Sequence, residues 1–287
     1  MSENTLDAAL DLFRRLSPRH VSDDVQAVCS LLKHNQDSDK LAQDLLASVD
    51  TPLKVMHCTQ LNKDFLCCDY NRDGDSYRLP YSNNYCPPTG DSDSPYPSAS
   101  LRSLEIKANE SFNIYRDLYY EGAGLSSAYL WDTADDDANG ISAGFAGVVL
   151  FQKVTEDRKG SWNSIHVFDV ERASATEATY KLTTSVILDL ENSREGNYLA
   201  LSGTMTRQVE TTQKCSIEGE SLEWAHLANL GQLVEKTESN VRNLLQDVYF
   251  DKLKDIMLKD LRSLGSVSDK RSEESKQKEL IKGLQGL

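Results

Sequence analysis

The C-terminal quarter of the chain carries the longest regular pattern in the sequence. From about Ser221 to Leu264, apolar residues recur at steps of mostly three and four, with one shift of phase near Tyr249. They are Leu230, Val234, Thr237, Val241, Leu244, Val248, Leu253, Ile256, Leu261 and Leu264. Such steps place side chains on one side of an α-helix. The pattern therefore predicts one helix about 60 Å long, at roughly 1.5 Å per residue.

A second amphipathic segment follows a polar break at 265–269. Four apolar residues share one side of a short helix that we expect to begin near Ser272: Leu280, Ile281, Leu284 and Leu287. A short helix beyond the folded body has little of its own protein to pack on. We therefore interpret it as a tail that binds in an apolar groove of another protein. The alternative is that these side chains fold back on the chain itself.

The charge is unevenly distributed. The net charge of the chain is −14, whereas residues 252–287 hold nine Lys or Arg and six Asp or Glu, a net of +3 that leaves −17 for residues 1–251. The acidic total argues against general nucleic-acid binding, which needs cations to displace counterions from phosphate. The basic end suggests contact with an acidic surface, although a solvated helix face would have the same composition.

The sequence favours a reducing compartment and no membrane span. The first apolar segment contains charged residues, unlike a signal peptide, and no stretch approaches the roughly 20 apolar residues of a membrane helix. The six cysteines are too scattered for a disulfide scaffold, and none forms a CxxC pair: Cys29, Cys58, Cys67, Cys68, Cys86 and Cys215. We predict free thiols and a cytosolic protein.

Patterning along the chain predicts an α+β fold in five parts. Residues 1–50 should form a helical stalk of three short helices in a bundle, with Ser22 capping the second. Residues 51–122 should form an irregular module rich in Pro and Asp, followed by a helix from Ser98 to Tyr120. One side of this helix carries Leu101, Leu104, Ala108, Phe112, Tyr115 and Leu118 or Tyr119. An antiparallel sheet at 123–212, the long helix at 213–265 and a detached, mobile amphipathic tail at 266–287 complete the predicted order.

The predicted sheet is a five-stranded meander crossed by the long helix. Short polar connections separate its strands, Ala128–Trp131, Gly144–Lys153, Trp162–Val170, Thr179–Leu190 and Leu199–Val209. The second strand is apolar on both sides, which predicts a central position, and we interpret the acidic stretch 133–142 as a surface insertion. The fourth strand alternates, with one face formed by Tyr180, Leu182, Thr184, Val186, Leu188 and Leu190. An open sheet leaves two edges, and the helix is longer than five strands are wide. Both features predict a second subunit that extends the sheet.

The run Asp69-Tyr-Asn-Arg-Asp-Gly-Asp-Ser-Tyr77 matches the first half of an EF-hand loop. The twelfth position, where a bidentate glutamate is required, is Pro80, so we interpret the run as a tight turn in which Asn and Asp cap backbone amides. A further interpretation is that Asp50, Asp69 and Asp73 form an acidic groove for a basic peptide.

No enzyme motif is present. The sequence lacks the phosphate-binding, zinc-protease, serine-hydrolase and dinucleotide-binding signatures. We interpret His166 and His226 as structural histidines, and Trp131 and Trp162 as core residues. The prediction is a protein that is not an enzyme and needs no cofactor or metal.

Nine stretches together resemble the β subunit family of the F-actin capping proteins over essentially the full chain. They are Ala9–Leu16, Leu45–Asp50, Cys68–Arg78, Tyr115–Tyr119, Ser127–Asp132, Gly144–Gly147, Ser161–His166, Leu201–Arg207 and Ala228–Gly231. The order of these stretches and the run DYNRDGDSYR carry the resemblance, and the acidic stretch 133–142 departs from it.

The resemblance implies an obligate heterodimer with an α subunit of similar fold, with a joint sheet crossed by paired long helices. It also implies cytoplasmic binding to the barbed end of actin filaments, in cortical actin structures, which blocks subunit exchange without calcium. The alternative is a non-enzymatic scaffold or adaptor that recruits basic peptides through the acidic stalk groove.

The resemblance also implies roles for individual residues. The residues expected to meet actin are Leu280, Ile281, Leu284, Leu287, Arg242 and Arg102, and Ser103 replaces a lysine that is usual in the family beside Arg102. Asp50, Asp69 and Asp73 match positions that line the groove for capping-protein-interaction motif peptides. Phosphoinositide headgroups are expected to inhibit the basic actin-facing surface.

Overall fold

The computed structural model describes residues 20–32, 52–89, 97–120, 124–133, 140–156, 160–190, 203–219 and 221–247, together with residues 275, 276 and 278. The chain divides into two compact units, Met1–Glu238 and Ser239–Leu287. The helices described are α1 (Val21–Leu32), α2 (Ala99–Tyr119), α3 (Gly140–Ala143) and α4 (Leu222–Leu245). The strands described are β1 (Lys54–Cys58), β2 (Lys63–Cys67), β3 (Arg72–Asp73), β4 (Ser76–Arg78), β5 (Tyr85–Cys86), β6 (Leu125–Asp132), β7 (Gly144–Val154), β8 (Gly160–Arg172), β9 (Glu177–Leu190) and β10 (Gly203–Ser216).

The main sheet has five antiparallel strands in the order β10-β9-β8-β7-β6. This confirms the predicted meander, with strand ends that extend a few residues beyond most of the predicted bounds. The last strand extends furthest: β10 continues to Ser216, so residues 213–216 are strand and not the start of the predicted helix, which begins at Leu222. The alternation in β9 places Tyr180, Leu182, Thr184 and Val186 in the interior, because successive side chains of a strand point to opposite sides. The apolar strand β7 pairs with β6 and β8 and is not at an edge, which confirms its predicted central position. β7 is buried on both sides because other elements cover both sides of the sheet at its position.

The largest apolar core lies between the sheet and the helices α2 and α4. Its members from α2 are Leu101, Leu104, Ala108 and Phe112, as the helical stripe predicts. The stripe ends one turn earlier than predicted, since Leu118 is 74% exposed and Tyr119 is also exposed. In this last turn the contacts with α4 become polar, and tyrosine hydroxyl groups take the place of apolar packing.

The Pro-rich module covers the opposite side of the sheet. Leu53 and Leu66 pack with Tyr129, Val148 and Leu150 of the first two sheet strands. A small cluster inside the module contains Cys58, Phe65, Cys67 and Leu79. Regular structure in the module is limited to the hairpin β1–β2 and a three-stranded sheet of very short strands, as its composition predicts.

Of the three predicted N-terminal helices, only the second lies within the described residues. Helix α1 begins at Val21, so Ser22 lies in its first turn and is not the predicted N-cap. The backbone N–H of Asp24 donates instead to the carbonyl of His20 at 2.8 Å. Among the described side chains of this helix, that of Val25 is buried. The first and third helices of the predicted bundle lie outside the described residues.

Helix α4 buries Leu230, Val234, Thr237 and Val241, as the long stripe predicts. At the next step Leu245 is buried and Leu244 is exposed. The next buried residue after Val241 is therefore four positions along, at Leu245, whereas the sequence pattern predicts a step of three, to Leu244. Beyond residue 247 the predicted continuation of this helix to residue 265 lies outside the described residues, and so does the predicted tail, apart from residues 275, 276 and 278, which are helical.

In the described part of the chain, no helix combines the length and the apolar composition needed to cross a membrane. The cysteines whose side chains are described all carry free thiols, as predicted: Cys58, Cys67, Cys68, Cys86 and Cys215.

Candidate functional site

The two edges of the main sheet differ in their hydrogen bonding. At the β6 edge, side chains from outside the sheet occupy backbone groups that a sixth strand would otherwise bind. The backbone N–H of Ala128 donates to Asn109 Oδ1 at 2.9 Å, and Asn109 Nδ2 donates to the Ala128 carbonyl at 2.9 Å. The N–H of Leu130 donates to Glu105 Oε2 at 2.6 Å. The β6 edge is thus closed by residues of helix α2.

The opposite edge is strand β10, which is 14 residues long. It pairs with β9 along its whole length, and among the strands described no other strand pairs with it. Most side chains of its second half are exposed and polar, as at Glu210, Thr212 and Lys214. A long edge strand presents a row of N–H and C=O groups to which another chain can add a strand. We identify the β10 edge as the candidate interaction site.

Next to the closed edge lies a buried ionic cluster, which we define as Arg78, Glu105 and Arg102. Arg78 donates from Nη1 to Glu105 Oε1 at 2.5 Å and from Nη2 to Glu105 Oε2 at 2.7 Å. Arg102 Nη1 also donates to Glu105 Oε1. Burial by itself lowers the pKa of Arg78, but the hydrogen bond and the charge of Glu105 raise it by more, so this pKa lies above its usual value.

The position of Arg102 differs from the predicted surface role. Its residue is 9% exposed, and its guanidinium lies against Glu105 and the carbonyl of Pro80. A charge that is buried and paired in this way presents little potential to a partner surface. The prediction that Arg102 faces actin therefore does not fit its environment.

The run Asp69–Tyr77 folds as a tight turn, as interpreted from the sequence. A 3₁₀ turn at Asp69–Asn71 leads into the hairpin β3–β4, with Gly74 at a φ of +57°. Asn71 accepts from the N–H of Cys68 at 2.9 Å and donates to the carbonyl of Arg78 at 2.9 Å. In the described residues, no group of three or more His, Cys, Asp or Glu side chains could hold a metal ion.

The predicted acidic groove is described in part. The side chain of Asp69 is 83% exposed and lies 4.0 Å from Arg72, whereas Asp73 is half-buried. Beside them Tyr70 stacks on Trp131, with ring centroids 4.9 Å apart and planes within 4°. Asp50 lies outside the described residues, so the structure describes two of the three predicted carboxylates.

A second buried carboxylate, Glu238, joins helix α4 to α2 and β8. Its Oε2 accepts from the Tyr115 hydroxyl at 2.6 Å. Its Oε1 accepts from the Tyr120 hydroxyl, from Trp162 Nε1 at 3.2 Å and from Ser164 Oγ at 3.3 Å. Sequence reasoning missed both this residue and the ionic cluster, because nothing in the local pattern marks a glutamate as buried.

The two histidines singled out in the sequence bond to neighbouring side chains in the interior. His166 Nδ1 lies 2.9 Å from Thr184 Oγ1, and His226 Nδ1 lies 2.7 Å from the Tyr180 hydroxyl. Burial, and to a smaller extent the charge of Arg172, lower the pKa of His226 to about 4. Both side chains act as packing residues, as the structural interpretation predicts.

Of the residues expected to meet actin, Arg242 lies in the last turn of α4 and is half-buried. A cation there interacts favourably with the negative end of the helix dipole. The four apolar tail residues, Leu280, Ile281, Leu284 and Leu287, lie outside the described residues. Their predicted role is neither supported nor opposed by the described contacts.

Comparison with known proteins places these features in a family. Residues 6–257 match the family described as F-actin capping protein, beta subunit. The F-actin-capping protein subunit beta of Debaryomyces hansenii is 55% identical over 294 residues, with 99% of each chain covered. The protein of the same name from Saccharomyces cerevisiae is 44% identical over 297 residues, with 100% of each chain covered.

A solved structure shares the fold at low sequence identity. It is the homodimeric actin capping protein alpha subunit from Plasmodium berghei, at a TM-score of 0.53 and 14% identity, with 91% of this chain and 98% of that chain covered. The fold likeness agrees with the identities to the relatives, which extend over nearly the whole chain. The chain belongs to the F-actin capping protein β subunit family.

Proposed function

We propose that this chain is the β subunit of a heterodimeric capping protein that binds the barbed end of actin filaments. In this role it blocks the addition and loss of actin subunits without calcium and without enzymatic activity. The observation that carries the proposal is the unequal pair of sheet edges: one is closed by side chains, and the other is 14 residues long and pairs with no strand but β9 among the described residues. Membership of the F-actin capping protein β subunit family supports the choice of a capping protein heterodimer as the assembly.

The partner in this proposal is an α subunit of similar fold. The alpha subunit from Plasmodium berghei shares the fold of this chain and is described as a homodimer. A subunit of this fold would also have a sheet with an edge strand. Antiparallel pairing of that strand with β10 would continue the sheet from one subunit into the other.

Filament contact in this proposal comes from the C-terminal end of the chain. The tail residues Leu280, Ile281, Leu284 and Leu287 would enter an apolar cleft of a terminal actin, and Arg242 would face acidic actin surface. The net charge of +3 at 252–287 supports attraction to such a surface. Arg102 is left out of this contact because it is buried beside Glu105.

Regulation in this proposal uses two surfaces. Basic capping-protein-interaction motif peptides would bind a groove lined by Asp50, Asp69 and Asp73, and the high exposure of the Asp69 side chain supports this. Phosphoinositide headgroups would bind the basic actin-facing surface and inhibit capping. These activities belong in the cytoplasm, at cortical actin structures.

The experiment that tests the proposal is an elongation assay on barbed-end actin seeds, using the full-length chain co-expressed with its α subunit. We expect co-purification of the two subunits and arrest of elongation at substoichiometric complex. Arrest that requires calcium would contradict the calcium-independent mechanism. Binding of basic peptides without any effect on elongation would support the alternative, a scaffold that recruits such peptides through the acidic groove.

Deletion of residues 270–287 tests the role of the tail. The heterodimer should remain intact, and its dissociation from barbed ends should become about tenfold faster or more, since apolar burial is lost while the rest of the contact remains. The matched control is a full-length chain in which Lys276 and Lys278 are exchanged for arginine. An unchanged dissociation rate after the deletion would contradict the proposed tail contact.

A further inference from the structure

The ionic cluster connects three parts of the chain that are distant in sequence. Arg78 ends strand β4 of the Pro-rich module, Arg102 and Glu105 lie in the first two turns of helix α2, and Leu130 belongs to strand β6. Glu105 Oε2 accepts both from Arg78 and from the N–H of Leu130 at 2.6 Å. Arg78 Nη2 donates in addition to the carbonyl of Leu130 at 3.3 Å. The module, the helix and the closed sheet edge thus meet at one carboxylate.

The charges of the cluster do not balance, because two guanidinium groups share one carboxylate. Glu105 is 0% exposed, Arg78 is 4% exposed and Arg102 is 9% exposed. Arg78 uses the planar fork of its guanidinium for two parallel bonds, a geometry that lysine cannot reproduce. Arg102 reaches the same carboxylate from three residues earlier in α2 and also meets the carbonyl of Pro80. The environment of each arginine therefore depends on Glu105.

We propose that Arg78, Glu105 and Arg102 act as one unit that holds the Pro-rich module and helix α2 against the β6 edge, and that Arg102 serves this unit instead of a filament contact. Closure of the β6 edge depends on the same carboxylate, since Glu105 occupies the N–H of Leu130. The part of this inference that concerns filaments rests on the proposed function, whereas the part that concerns the cluster stands without it.

The first test is a double-mutant cycle on the full-length chain in its co-expressed complex. Glu105→Gln leaves two buried cations without their counter-charge, and we expect Tm to fall by about 10 °C. Arg102→Met alone should lower Tm by less, because Arg78 still pairs with Glu105. The combined variant should melt above Glu105→Gln alone, since the second substitution removes one of the two like charges. Simple addition of the two shifts, which would place the combined variant lowest, would overturn the inference.

The conservative variant Arg102→Lys is a second test of the role of Arg102 in the cluster, and we expect it to fold readily. It keeps the charge but loses the guanidinium geometry, so Tm should fall by a few degrees if Arg102 acts inside the cluster. A Tm equal to that of the unsubstituted chain would contradict an internal role.

The last test separates a cluster role from a filament contact. An exposed cation that meets an acidic partner raises the association rate, and this contribution declines with salt. Arg102→Met should leave both the association rate at barbed ends and its salt dependence within about twofold of wild type. Arg242→Met is the matched control and should lower both the association rate and its salt dependence. If Arg242→Met changes neither, the proposed filament contact is contradicted. The Tm results alone then test the proposed role of the ionic cluster. A salt-dependent loss of association in Arg102→Met with an unchanged Tm would overturn the inference.

Discussion

The side-chain amide of Asn109 occupies both backbone hydrogen-bonding groups of Ala128. Its Oδ1 accepts from the Ala128 N–H at 2.9 Å and its Nδ2 donates to the Ala128 carbonyl at 2.9 Å. These are the two bonds that a residue of a neighbouring antiparallel strand would make. A single asparagine of helix α2 thus takes the place of a strand residue at the first edge of the sheet.

Replacement of Asn109 by alanine should destabilise the fold by about 2–4 kcal/mol. The substitution leaves the N–H and carbonyl of Ala128 buried without their partner, and it also removes a 2.9 Å bond to the carbonyl of Glu105. Urea unfolding measures the change. Asn83→Ala is the control, because Asn83 is exposed in a loop and should change stability by less than about 0.5 kcal/mol. Equal effects of the two substitutions would contradict the assigned bonds.

The buried His226 should make stability depend on pH below neutrality. Its pKa in the folded chain is about 4, against the ordinary 6.5 expected after unfolding. Because the folded value is the lower one, protons bind the unfolded chain more tightly. The contribution of this residue is therefore complete above about pH 6.5 and is lost as the pH falls towards 4, by about 3 kcal/mol in total.

Unfolding of the chain at pH 7 and at pH 5 measures this dependence. His226→Gln retains a polar group beside the Tyr180 hydroxyl but does not titrate, so the difference in stability between the two pH values should shrink. His20 is exposed, and His20→Gln should leave the difference in place. A pH profile that is the same with and without His226 would argue against a buried neutral imidazole.

Replacement of Glu238 by glutamine should cost about 1–3 kcal/mol despite the similar shape of the two side chains. The oxygen atoms of Glu238 accept from Tyr115, Tyr120, Trp162 and Ser164. A glutamine amide turns one acceptor into a donor, which then faces hydroxyl or indole donors.

Thermal unfolding measures the effect of Glu238→Gln. The neighbouring Glu235 accepts from the exposed Tyr119, so Glu235→Gln is a matched control expected to change stability by less than about 0.5 kcal/mol. A larger loss of stability in Glu235→Gln than in Glu238→Gln would contradict the assignment of Glu238 as the buried carboxylate.

Two glycines should respond to alanine in opposite directions. Gly144 has a φ of +136°, and a Cβ there would lie 2.8 Å from the carbonyl oxygen of Val170, so Gly144→Ala should destabilise by about 2–4 kcal/mol. Gly231 lies inside helix α4, and among the described residues nothing lies within 4 Å of its added Cβ. Gly231→Ala should stabilise by about 0.5–1 kcal/mol. Thermal unfolding of both variants measures the difference, and a change of the same sign would contradict it.

Much of the fold could be predicted because its elements have regular patterns. The alternation in β9 and the stripe Leu101–Phe112 in α2 are local signals, and both lie where the sequence placed them. Errors arose at the ends of elements. Leu118 satisfies the helical stripe but lies in a turn whose contacts are polar, and β10 continues into residues that were predicted to be helical.

The contacts of the two buried carboxylates, Glu105 and Glu238, could not be predicted in the same way. Arg78 and Glu105 are 27 positions apart, and Tyr115 and Glu238 are 123 positions apart. A glutamate on a helix is ordinarily exposed, so the local sequence favours the wrong environment for both carboxylates. The resemblance to a family singled out the run that contains Arg78, yet it assigned Arg102 to a partner surface because the contact with Glu105 is visible only in three dimensions.

The closure of β6 limits how many copies can join through the sheet. A subunit with two receptive borders can link to neighbours on both flanks and so grow into a ribbon of indefinite length. Here Asn109 and Glu105 remove one of those borders. The proposed pairing at β10 would use the other, so assembly through this sheet would stop at a two-chain particle of defined size.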